Sequence, residues 1–282
     1  MIAKINMRIA TYLRDSRLEN DSRLVSLIGE LESAGCEICR VDNFTGIPEG
    51  TDFLLSVGGD GTFLSAAALV AESGIPVLGV NLGRLGFLSE NRPESVASSL
   101  LSGAYTIENR TLLETDFSKP AGSPSIDGKP FALNEITLHR SGSAMLGVDV
   151  SVDGSVLPTY WADGLLVATS SGSTAYSLSV GGPIVLPESR VLIIAPIASH
   201  NLNVRPLVVP DTSVIELGLQ SRDENVILTM DNRSVEIEPD MKIRVSMAQF
   251  SLKRVRLNSS NFINALTGKL FWGEDIRNSI GQ

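Results

Sequence analysis

The sequence has few of the residues on which metal and redox sites usually depend. Among its 282 residues are two cysteines and two histidines. Cys36 and Cys39 form a C-x-x-C pair, but they fall in a strand-like segment, where this odd spacing points the side chains to opposite faces. No second cysteine pair is present to complete a zinc site. Both cysteines are therefore interpreted as structural.

The chain also lacks the features of proteins that bind nucleic acid or span membranes. Its formal charge is −9, and no basic stripe with interleaved aromatic residues is present, which disfavours a polyanion-binding surface. No apolar run is long enough to cross a bilayer, and residues 1–8 do not form the apolar region of a signal peptide. We expect neither nucleic acid nor a membrane as a partner, and we expect a cytoplasmic location.

The common phosphate-binding and hydrolase motifs are missing. The sequence contains no G-x-x-x-x-G-K-[ST] loop and no G-x-G-x-x-G fingerprint after a strand. It has no G-x-S-x-G elbow, and two histidines leave little room for a hydrolase triad. A nucleotide, if one binds, must be held by another device.

One glycine-rich turn stands out. The apolar segment 53–57 is typical of a buried strand, and residues 62–71 are typical of a helix that Thr62 would cap. Such a turn presents backbone N–H groups at the positive end of a helix dipole, and its glycines allow a phosphate to approach. The alternative is a tight turn that serves only packing. The turn consists of Gly58, Gly59, Asp60, Gly61 and Thr62.

Asp60 favours a chemical role for this turn. A carboxylate beside bound phosphates is electrostatically unfavourable unless it binds Mg²⁺ or removes a proton. Either role is catalytic. We therefore predict that Asp60 belongs to an active site.

The first hundred residues alternate between strand and helix patterns. Strands are predicted at 5–13, 36–41, 53–57 and 75–82, and helices at 21–34, 62–71 and 93–101. Such alternation predicts a parallel sheet with right-handed crossovers, which binds ligands at the carboxyl ends of its strands. The Asp60 turn and the polar block 81–88 both lie at such ends.

Beyond Tyr105 the pattern changes to short strands with turn signals. A hairpin is predicted at 148–157 around Asp153 and Gly154. Further strands are predicted at 131–139, 165–168, 191–195, 214–219, 226–230 and 242–247. We expect an α/β nucleotide-binding domain, residues 1–104 with 261–282, and an all-β, β-sandwich-like domain, residues 105–260. The apolar tail from Asn261 is expected to pack against the first domain.

Three polar segments of the second half are candidate binding sites. Asn134 and Glu135 adjoin in a strand pattern, so one is expected to face inward, where a carboxylate needs a partner. Ser171 begins a stretch rich in hydroxyl groups, which could contact ribose or phosphate, or form only a turn-rich loop. Asp163 precedes Gly164 and could equally belong to a plain β-turn.

Together these segments closely resemble NAD kinases. The likeness extends over nearly the whole chain in the right order. The glycine turn alone is also similar to that of phosphofructokinases and of diacylglycerol and sphingosine kinases, but block 163–183 is specific. The matching segments are 58–62, 81–88, 134–135, 163–183, 200–210 and 269–272.

Two segments depart from the family pattern. Asp231, Asn232 and Arg233 stand where the family more often has Asp-Gly-Gln; Asn tolerates a left-handed turn, so the fold is not threatened. Ser170 stands where proline is commoner, which is expected to loosen the loop slightly.

The resemblance implies phosphorylation of the adenosine-ribose 2′-hydroxyl of NAD, with ATP as donor and Mg²⁺ or another divalent cation. Asp60 would be the catalytic carboxylate, and the metal ligands stay unassigned. The same resemblance implies a homodimer or homotetramer, in which a neighbouring subunit supplies part of the site.

The implied binding roles follow the matching positions. Gly58, Gly59, Gly61 and Thr62 would form the phosphate turn, and Phe87 would line the pocket. Asn134 and Glu135 would hold ribose hydroxyls. The adenine and ribose contacts would come from Thr174, Ala175, Tyr176 and Ser179, with Ser171 as a further hydroxyl donor. Asp163, Ala198 and His200 would come from the neighbouring subunit.

Two alternatives stay open at this point. A lipid or sugar kinase sharing the Asp60 turn would leave block 163–183 unexplained. A non-catalytic nucleotide sensor on the same fold would keep every motif, because a motif shows capacity rather than use.

Overall fold

The computed structural model describes residues 7–42, 46–84, 86–118, 130–258 and 261–270. The chain forms two compact units. The first comprises the described residues up to Glu108 and from Lys253 onwards, and the second extends from Asn109 to Leu252. The domain limits drawn from the sequence, at 104 and 260, stay a prediction.

The elements of the first half alternate between strand and helix, as the sequence pattern predicts. In chain order they are β1 (Arg8–Leu13), α1 (Ser22–Ser33), β2 (Glu37–Val41), β3 (Phe53–Val57), α2 (Asp60–Val70), β4 (Val77–Val80), α3 (Pro93–Ser102) and β5 (Tyr105–Arg110). Short 3-10 helices lie at Ser16–Asn20 and Ala71–Ser73.

The second half is dominated by strands. They are β6 (Leu113–Ser118), β7 (Phe131–Ala132), β8 (Glu135–Arg140), β9 (Leu146–Val152), β10 (Ser155–Val156), β11 (Tyr160–Ala162), β12 (Gly164–Thr169), β13 (Val191–Ile197), β14 (Leu207–Pro210), β15 (Ile215–Gln220), β16 (Val226–Met230), β17 (Arg233–Ile237), β18 (Lys242–Met247) and β19 (Leu252–Leu257). A 3-10 turn at Ser171–Thr174 and the short helix α4 (Tyr176–Ser179) follow β12, and helix α5 (Phe262–Leu270) follows β19.

The sheet of the first unit has the strand order β2-β1-β3-β4-β19-β5. The pairs β1/β2, β1/β3, β3/β4 and β4/β19 are parallel, which confirms the predicted α/β architecture. Every residue of β3 is buried, as expected for a central strand covered on both faces. The carboxyl ends of β3 and β4 therefore meet at one edge of the sheet.

Helix α1 shows how local signals define an element here. Leu24, Leu27 and Leu31 are buried and share one face, and each fully buried leucine contributes roughly 1.5–3 kcal/mol. Asp21 caps the first turn through its side chain. Gly35, at a φ of 95°, closes the helix, since that left-handed conformation suits glycine.

The expected cap of α2 is wrong. The helix begins at Asp60, and Gly59 is its N-cap. The carbonyl oxygen of Gly59 accepts the N–H groups of Thr62 and Phe63 at 2.9 and 3.1 Å, so Thr62 already lies inside the first turn. The glycine turn is consequently shorter than the sequence pattern indicates.

The second unit is a β-sandwich, as predicted. One sheet has the order β10-β9-β15-β18-β6-β7 with β11 paired to β9, and the other has the order β14-β13-β12-β8-β16-β17. Leu146 and Val148 of the first sheet and Leu165 and Val167 of the second share one buried cluster. Alternation of apolar and polar residues along these strands produces this two-layer core.

The predicted hairpin is confirmed in register. Val152 pairs with Ser155, and Asp153 and Gly154 form the turn at φ values of 51° and 78°. Positive φ at both central residues is what a two-residue hairpin requires.

Several features of the fold were not predicted, among them strands β5, β6, β11, β14 and β17. The predicted strand 131–139 is divided into β7, which pairs with β6 in one sheet, and β8, which lies in the other sheet; Leu133 and Asn134 lie between them and donate to Asp231. Strand β19 was not predicted, and it pairs with β4 through Arg254 and Val77. Pairing between strands so distant in sequence leaves no local pattern.

Helix α5 packs within the first unit. The Phe262 ring of α5 lies 6.0 Å from the Phe87 ring. Phe271 and Trp272, which belong to the same apolar tail, lie outside the described residues. No helix in the described parts of the chain is long and apolar enough to cross a bilayer.

A buried ion-pair network secures β19. The side chain of Arg254 is 5% exposed, and it pairs with Glu90 and, at 3.3 Å, with Glu108. The same guanidinium donates to the carbonyl oxygens of Phe87 and Leu88 at 3.2 and 3.4 Å. Arg254 thus joins β19 to the loop that follows β4.

We predict that Arg254→Met destabilises the protein by about 3–5 kcal/mol, because Glu90 is left buried without its cation. The matched control is Arg256→Met, since Arg256 also pairs with Glu108 but is 36% exposed. This control is expected to cost about 1 kcal/mol or less. Urea unfolding followed by circular dichroism compares the two midpoints. Equal shifts would contradict the assigned role of Arg254.

Candidate functional site

The glycine turn after β3 leaves its backbone accessible. Gly58 has a φ of 146°, and a Cβ there would lie 2.5 Å from the hydroxyl oxygen of Thr62. A residue with a side chain would therefore be strained at this position. Gly59 and Gly61 are exposed and have open space where a side chain would be. The turn can therefore admit an anion to the N-terminus of α2.

Asp60 faces three consecutive backbone N–H groups. Its Oδ2 accepts the N–H of Phe87 at 2.8 Å, and its Oδ1 accepts those of Leu88 and Ser89 at 3.0 and 2.8 Å. A Cβ on Gly86 would lie 1.8 Å from Asp60 Oδ1, so only glycine fits there. The structure thus places the predicted residues Asp60 and Phe87 together, and it assigns Asp60 an anchoring role that the sequence did not indicate.

The block after β4 is also braced internally. Asn81 accepts the N–H of Gly83 at 2.7 Å and donates to the carbonyl oxygens of Arg84 and Ser89 at 2.6 and 3.2 Å. A Cβ on Gly79 would lie 2.7 Å from the carbonyl oxygen of Leu88, so this strand lies directly against the block. The loop from 81 to 89 is consequently positioned by side-chain bonds where regular structure ends.

Lys269 is a member of this site that sequence reasoning missed. From α5, its ammonium group donates to the carbonyl oxygen of Gly86 and lies 4.7 Å from the centre of the Phe87 ring. Burial lowers the pKa of Lys269, while the negative charges of Glu90 and Asp60 oppose that change. The available signal was its place at the start of the matching segment 269–272.

The second unit uses a similar device. The carboxylate of Asp231 accepts the N–H groups of Leu133, Asn134 and Glu135 at 2.8, 2.8 and 3.2 Å. These bonds hold residues 133 and 134 where the chain passes from β7 in one sheet to β8 in the other. Burial raises the pKa of Asp231, and the three N–H donors oppose that rise. Asp231 was also missed as a site residue.

Asn134 and Glu135 carry polar atoms without hydrogen-bond partners. Among the described residues, nothing donates to the buried Asn134 Oδ1 or to Glu135 Oε2. Burial and the charge of Asp231 raise the pKa of Glu135 to about 8, and a hydrogen bond from the backbone N–H of Tyr176 opposes this rise. Buried acceptors of this kind are costly unless a ligand completes them.

The hydroxyl-rich segment lies against this pair. Thr169 donates to the carbonyl oxygen of Leu133 at 2.6 Å and accepts the N–H of Gly172 at 3.1 Å. A Cβ on Gly172 would lie 2.1 Å from the carbonyl oxygen of Asn134. Residues 171–176 thus reach Asn134 and Glu135, and Ser171 and Thr174 lie in the same short 3-10 turn.

Tyr176 extends this group of residues. Its ring stacks on His139, with ring centres 5.8 Å apart and planes 12° apart. Burial raises the pKa of Tyr176, and the charges of Glu135 and Asp163 add to the rise. Ala175 is half-buried beside it, and Ser179 is exposed at the end of α4.

Asp163, Ala198 and His200 form a neighbouring group. The carboxylate of Asp163 accepts a hydrogen bond from Nε of Arg140 at 2.7 Å, and the backbone N–H of Asp163 donates to the carbonyl oxygen of Ile197. The N–H of His200 donates to the carbonyl oxygen of Trp161 at 2.8 Å. Ala198, at a φ of 50°, and His200 are both exposed. Asp163 is therefore already paired, whereas the other two side chains face outward.

The two departures from the family pattern have structural explanations. The left-handed residue of the β16–β17 turn is Asp231, at a φ of 52°, and not Asn232. Ser170 donates its hydroxyl to the carbonyl oxygen of Ser189. Proline could not donate this bond, and the expectation that this serine loosens the loop stays a prediction.

The described residues include no group of three or more acidic, cysteine or histidine side chains that could hold a metal ion. Asp60 offers at most one free carboxylate position, since its two oxygens already accept three N–H groups. These residues do not build a protein cage for Mg²⁺. They fit a cation that arrives on nucleotide phosphates and keeps most of its other ligands.

Comparison with known proteins identifies related families. The ATP-NAD kinase N-terminal domain matches residues 12–104, and the ATP-NAD kinase C-terminal domain matches residues 133–257. The NAD kinase of Porphyromonas gingivalis is 44% identical over 292 residues, covering 96% of this chain and 99% of that protein. The NAD kinase of Flavobacterium psychrophilum is 37% identical over 277 residues, covering 96% and 94%.

Solved structures with similar folds come from the same family. A yeast NADH kinase complexed with NADH has a TM-score of 0.83 at 26% identity, covering 96% of this chain and 89% of that chain. An NAD kinase from Archaeoglobus fulgidus in complex with ATP has a TM-score of 0.76 at 28% identity, covering 94% and 99%.

The raised pKa of Glu135 predicts a pH-dependent stability. In the unfolded chain this carboxyl loses its proton above pH 4.5, whereas in the folded protein it keeps the proton up to about pH 8. The free energy of unfolding therefore falls as the pH rises from 4.5 towards about 8. Glu135→Gln stays neutral throughout. The difference in free energy of unfolding between this variant and the wild type should shift in favour of the variant between about pH 5 and pH 8, by on the order of 4 kcal/mol in all.

Thermal unfolding of both proteins across this pH range measures the effect. Glu238→Gln, at an exposed position of the same unit, is the matched control and should show no growing margin. A constant difference between Glu135→Gln and wild type would contradict the buried, protonated carboxyl.

Proposed function

The chain belongs to the NAD kinase family, and we propose that Asp60 is the carboxylate that activates the 2′-hydroxyl of the adenosine ribose of NAD. The chain is a phosphotransferase that phosphorylates NAD with ATP. The observation that supports the role of Asp60 is its position at the start of α2, between two open glycines and the 86–89 loop.

The proposed step needs one acceptor position on Asp60. Oδ2 accepts a single N–H, from Phe87, and so can also accept the proton of a hydroxyl group. The ribose oxygen forms a bond to the γ-phosphorus of ATP, the bond from that phosphorus to the bridging oxygen breaks, and ADP leaves. The hydroxyl proton passes to Asp60. The protein contributes mainly position, as phosphoryl transfer requires.

The donor side of the site is assigned to the glycine turn. Gly58, Gly59, Gly61 and Thr62 would present backbone N–H groups to the phosphates of ATP. Mg²⁺ or another divalent cation would neutralise phosphate charge when bound with ATP. Phe87 would cover one side of the pocket. Each of these assignments follows the sequence resemblance and the geometry of the turn.

The dinucleotide side is assigned to the second unit. Asn134 and Glu135 would pair with ribose hydroxyls, which fits their buried acceptors without partners in the described residues. A protonated Glu135 could donate as well as accept. The adenine and ribose contacts would come from a short list: Ser171, Thr174, Ala175, Tyr176 and Ser179.

The two alternatives fare differently. A lipid or sugar kinase shares only the glycine turn, whereas the family match continues through residues 133–257. A non-catalytic sensor would bind both nucleotides without turnover. Incubating the pure protein with NAD, ATP and Mg²⁺ and measuring NADP distinguishes a working kinase from a sensor.

Assembly and location are part of the proposal. A homodimer or homotetramer in the cytoplasm would bring Asp163, Ala198 and His200 of one subunit to the ligand of another. The exposed Ala198 and His200 support this arrangement, and so do the exposed apolar residues Leu202 and Val208 near them in sequence.

We predict that Asp60→Asn lowers kcat by about 10²- to 10⁴-fold, because the amide cannot take the hydroxyl proton. NAD affinity should stay within a few-fold, since the assigned dinucleotide contacts lie in the second unit. NADP formation and a separate NAD-binding titration measure the two effects. Turnover within threefold of wild type would exclude Asp60 from the mechanism.

Two further variants serve as a control and a comparison for the Asp60→Asn measurement. Asp240→Asn, at an exposed position, controls for loss of one carboxylate. Glu135→Ala provides the opposite pattern, because loss of a buried hydrogen-bonding group typically costs about 1–3 kcal/mol. It should raise the KM for NAD roughly tenfold or more and leave the KM for ATP nearly unchanged.

We further predict that specific activity falls on dilution in step with dissociation, because a site shared between subunits is lost in the monomer. Activity and light scattering over the same concentration series, with and without NAD, measure the coupling. A fully active monomer would return Asp163 and His200 to purely local roles.

A further inference from the structure

One peptide group of the first unit lies between two opposite charges. The carbonyl oxygen of Gly86 accepts the ammonium group of Lys269, and the N–H of Phe87 donates to Asp60 at 2.8 Å. These two atoms belong to the same peptide bond. The peptide group thus lies between the ammonium group of Lys269 and the carboxylate of Asp60. Both charges favour the same orientation of the peptide dipole.

The position of Lys269 is defined by more than this bond. Its ammonium group lies over the Phe87 ring at 4.7 Å, within the range of a cation–π contact. Phe262, about two turns earlier on α5, has its ring centre 6.0 Å from that of Phe87. Ala265 and Leu266 bury the intervening part of the helix. Helix α5 thus holds the lysine against the loop that Asp60 grips from the other side.

Two negative charges near Lys269 oppose the lowering of its pKa by burial. Glu90 and Asp60 act on it as negative charges, and Arg254 acts as a positive charge. Arg254 is already committed to Glu90, Glu108 and two carbonyl oxygens of the loop. Lys269 is therefore the cation that contacts the Gly86 carbonyl oxygen, whereas Arg254 contacts the next two carbonyl oxygens, those of Phe87 and Leu88.

We propose that Lys269 is a positioning residue for Asp60: through the Gly86–Phe87 peptide it fixes the orientation in which the carboxylate meets the acceptor hydroxyl. This inference rests on the proposed role of Asp60. Because its ammonium group already contacts Gly86 and Phe87, Lys269 acts through the loop and not as a ligand of ATP. Small errors in placing a catalytic group cost large factors in rate.

The main test is Lys269→Met, which keeps an apolar chain over Phe87 and removes the charge. We expect kcat to fall roughly ten- to a hundredfold, with the KM values for NAD and ATP within about threefold of wild type. Lys269→Arg should recover most of the loss. Lys253→Met, an exposed lysine of β19 in the same unit, is the matched control. A rise in the KM for ATP at unchanged kcat would make Lys269 a phosphate-binding cation and overturn the proposal.

A double-mutant cycle separates this inference from the proposed function. If Lys269 acts through Asp60, adding Lys269→Met to Asp60→Asn should lower the residual rate by less than about twofold. An equal loss in both backgrounds would overturn the positioning role. If Asp60→Asn alone kept full turnover, the catalytic assignment itself would fail. If Asp60→Asn were inactive and Lys269→Met fully active, only the present inference would fail.

Amide hydrogen exchange provides a readout that does not depend on turnover. The N–H groups of Phe87, Leu88 and Ser89 should lose protection in Lys269→Met and keep it in Lys253→Met. Lys269→Gln, which keeps a donor but no charge, is the second variant if the methionine protein does not fold. Wild-type protection and wild-type kcat in the folded variant would overturn the proposal.

Discussion

The structure depends on a repeated constraint: one carboxylate collects three consecutive backbone N–H groups. Asp60 does so for residues 87–89 and Asp231 for residues 133–135. Residues 87–89, 133 and 134 lie outside regular structure and Glu135 only begins β8, so these N–H groups would otherwise lack partners. Because the aspartate side chain is short, its carboxylate can accept all three N–H groups from a fixed position. In each unit, one aspartate thus helps to position the segment with candidate ligand-binding residues.

This device explains why several neighbouring glycines are required. A Cβ on Gly86 would occupy the place of the Asp60 carboxylate, and one on Gly172 would meet the backbone of Asn134. The loops approach their anchors more closely than a side chain allows. Phosphoryl transfer needs accurate placement of donor and acceptor and little covalent chemistry from the protein. Rigid loops held by charge-assisted bonds meet that need.

The polar groups of the second unit carry a cost that a ligand can relieve. Glu135 retains a proton up to a pKa of about 8, and Asn134 keeps a buried oxygen that accepts no bond within the described residues. Both conditions lower the stability of the unliganded protein. A ribose that supplied donors to these atoms would offset the cost, so binding and stability would be coupled at this pair.

Local sequence patterns were sufficient for much of the fold. Helix α1 with its cap at Asp21 and its end at Gly35, the buried strand β3 and the Asp153–Gly154 hairpin all follow from short-range periodicity and turn chemistry. The glycine turn and the pair Asn134–Glu135 were also recognisable, because their residue types are unusual for their positions. The family itself was evident from motifs in the right order.

Other features were decided only by tertiary structure. Lys269 meets the Gly86–Phe87 peptide, and Asp231 meets residues 133–135, across separations of roughly a hundred residues or more, where no periodicity signals the contact. Strand β19 joins the parallel sheet through an equally distant partner, Val77. The sequence by itself determined which segments fold locally and which carry unusual polar groups. Tertiary packing decided which charge faces which backbone group, because burial and long-range pairing exist only once the chain has closed.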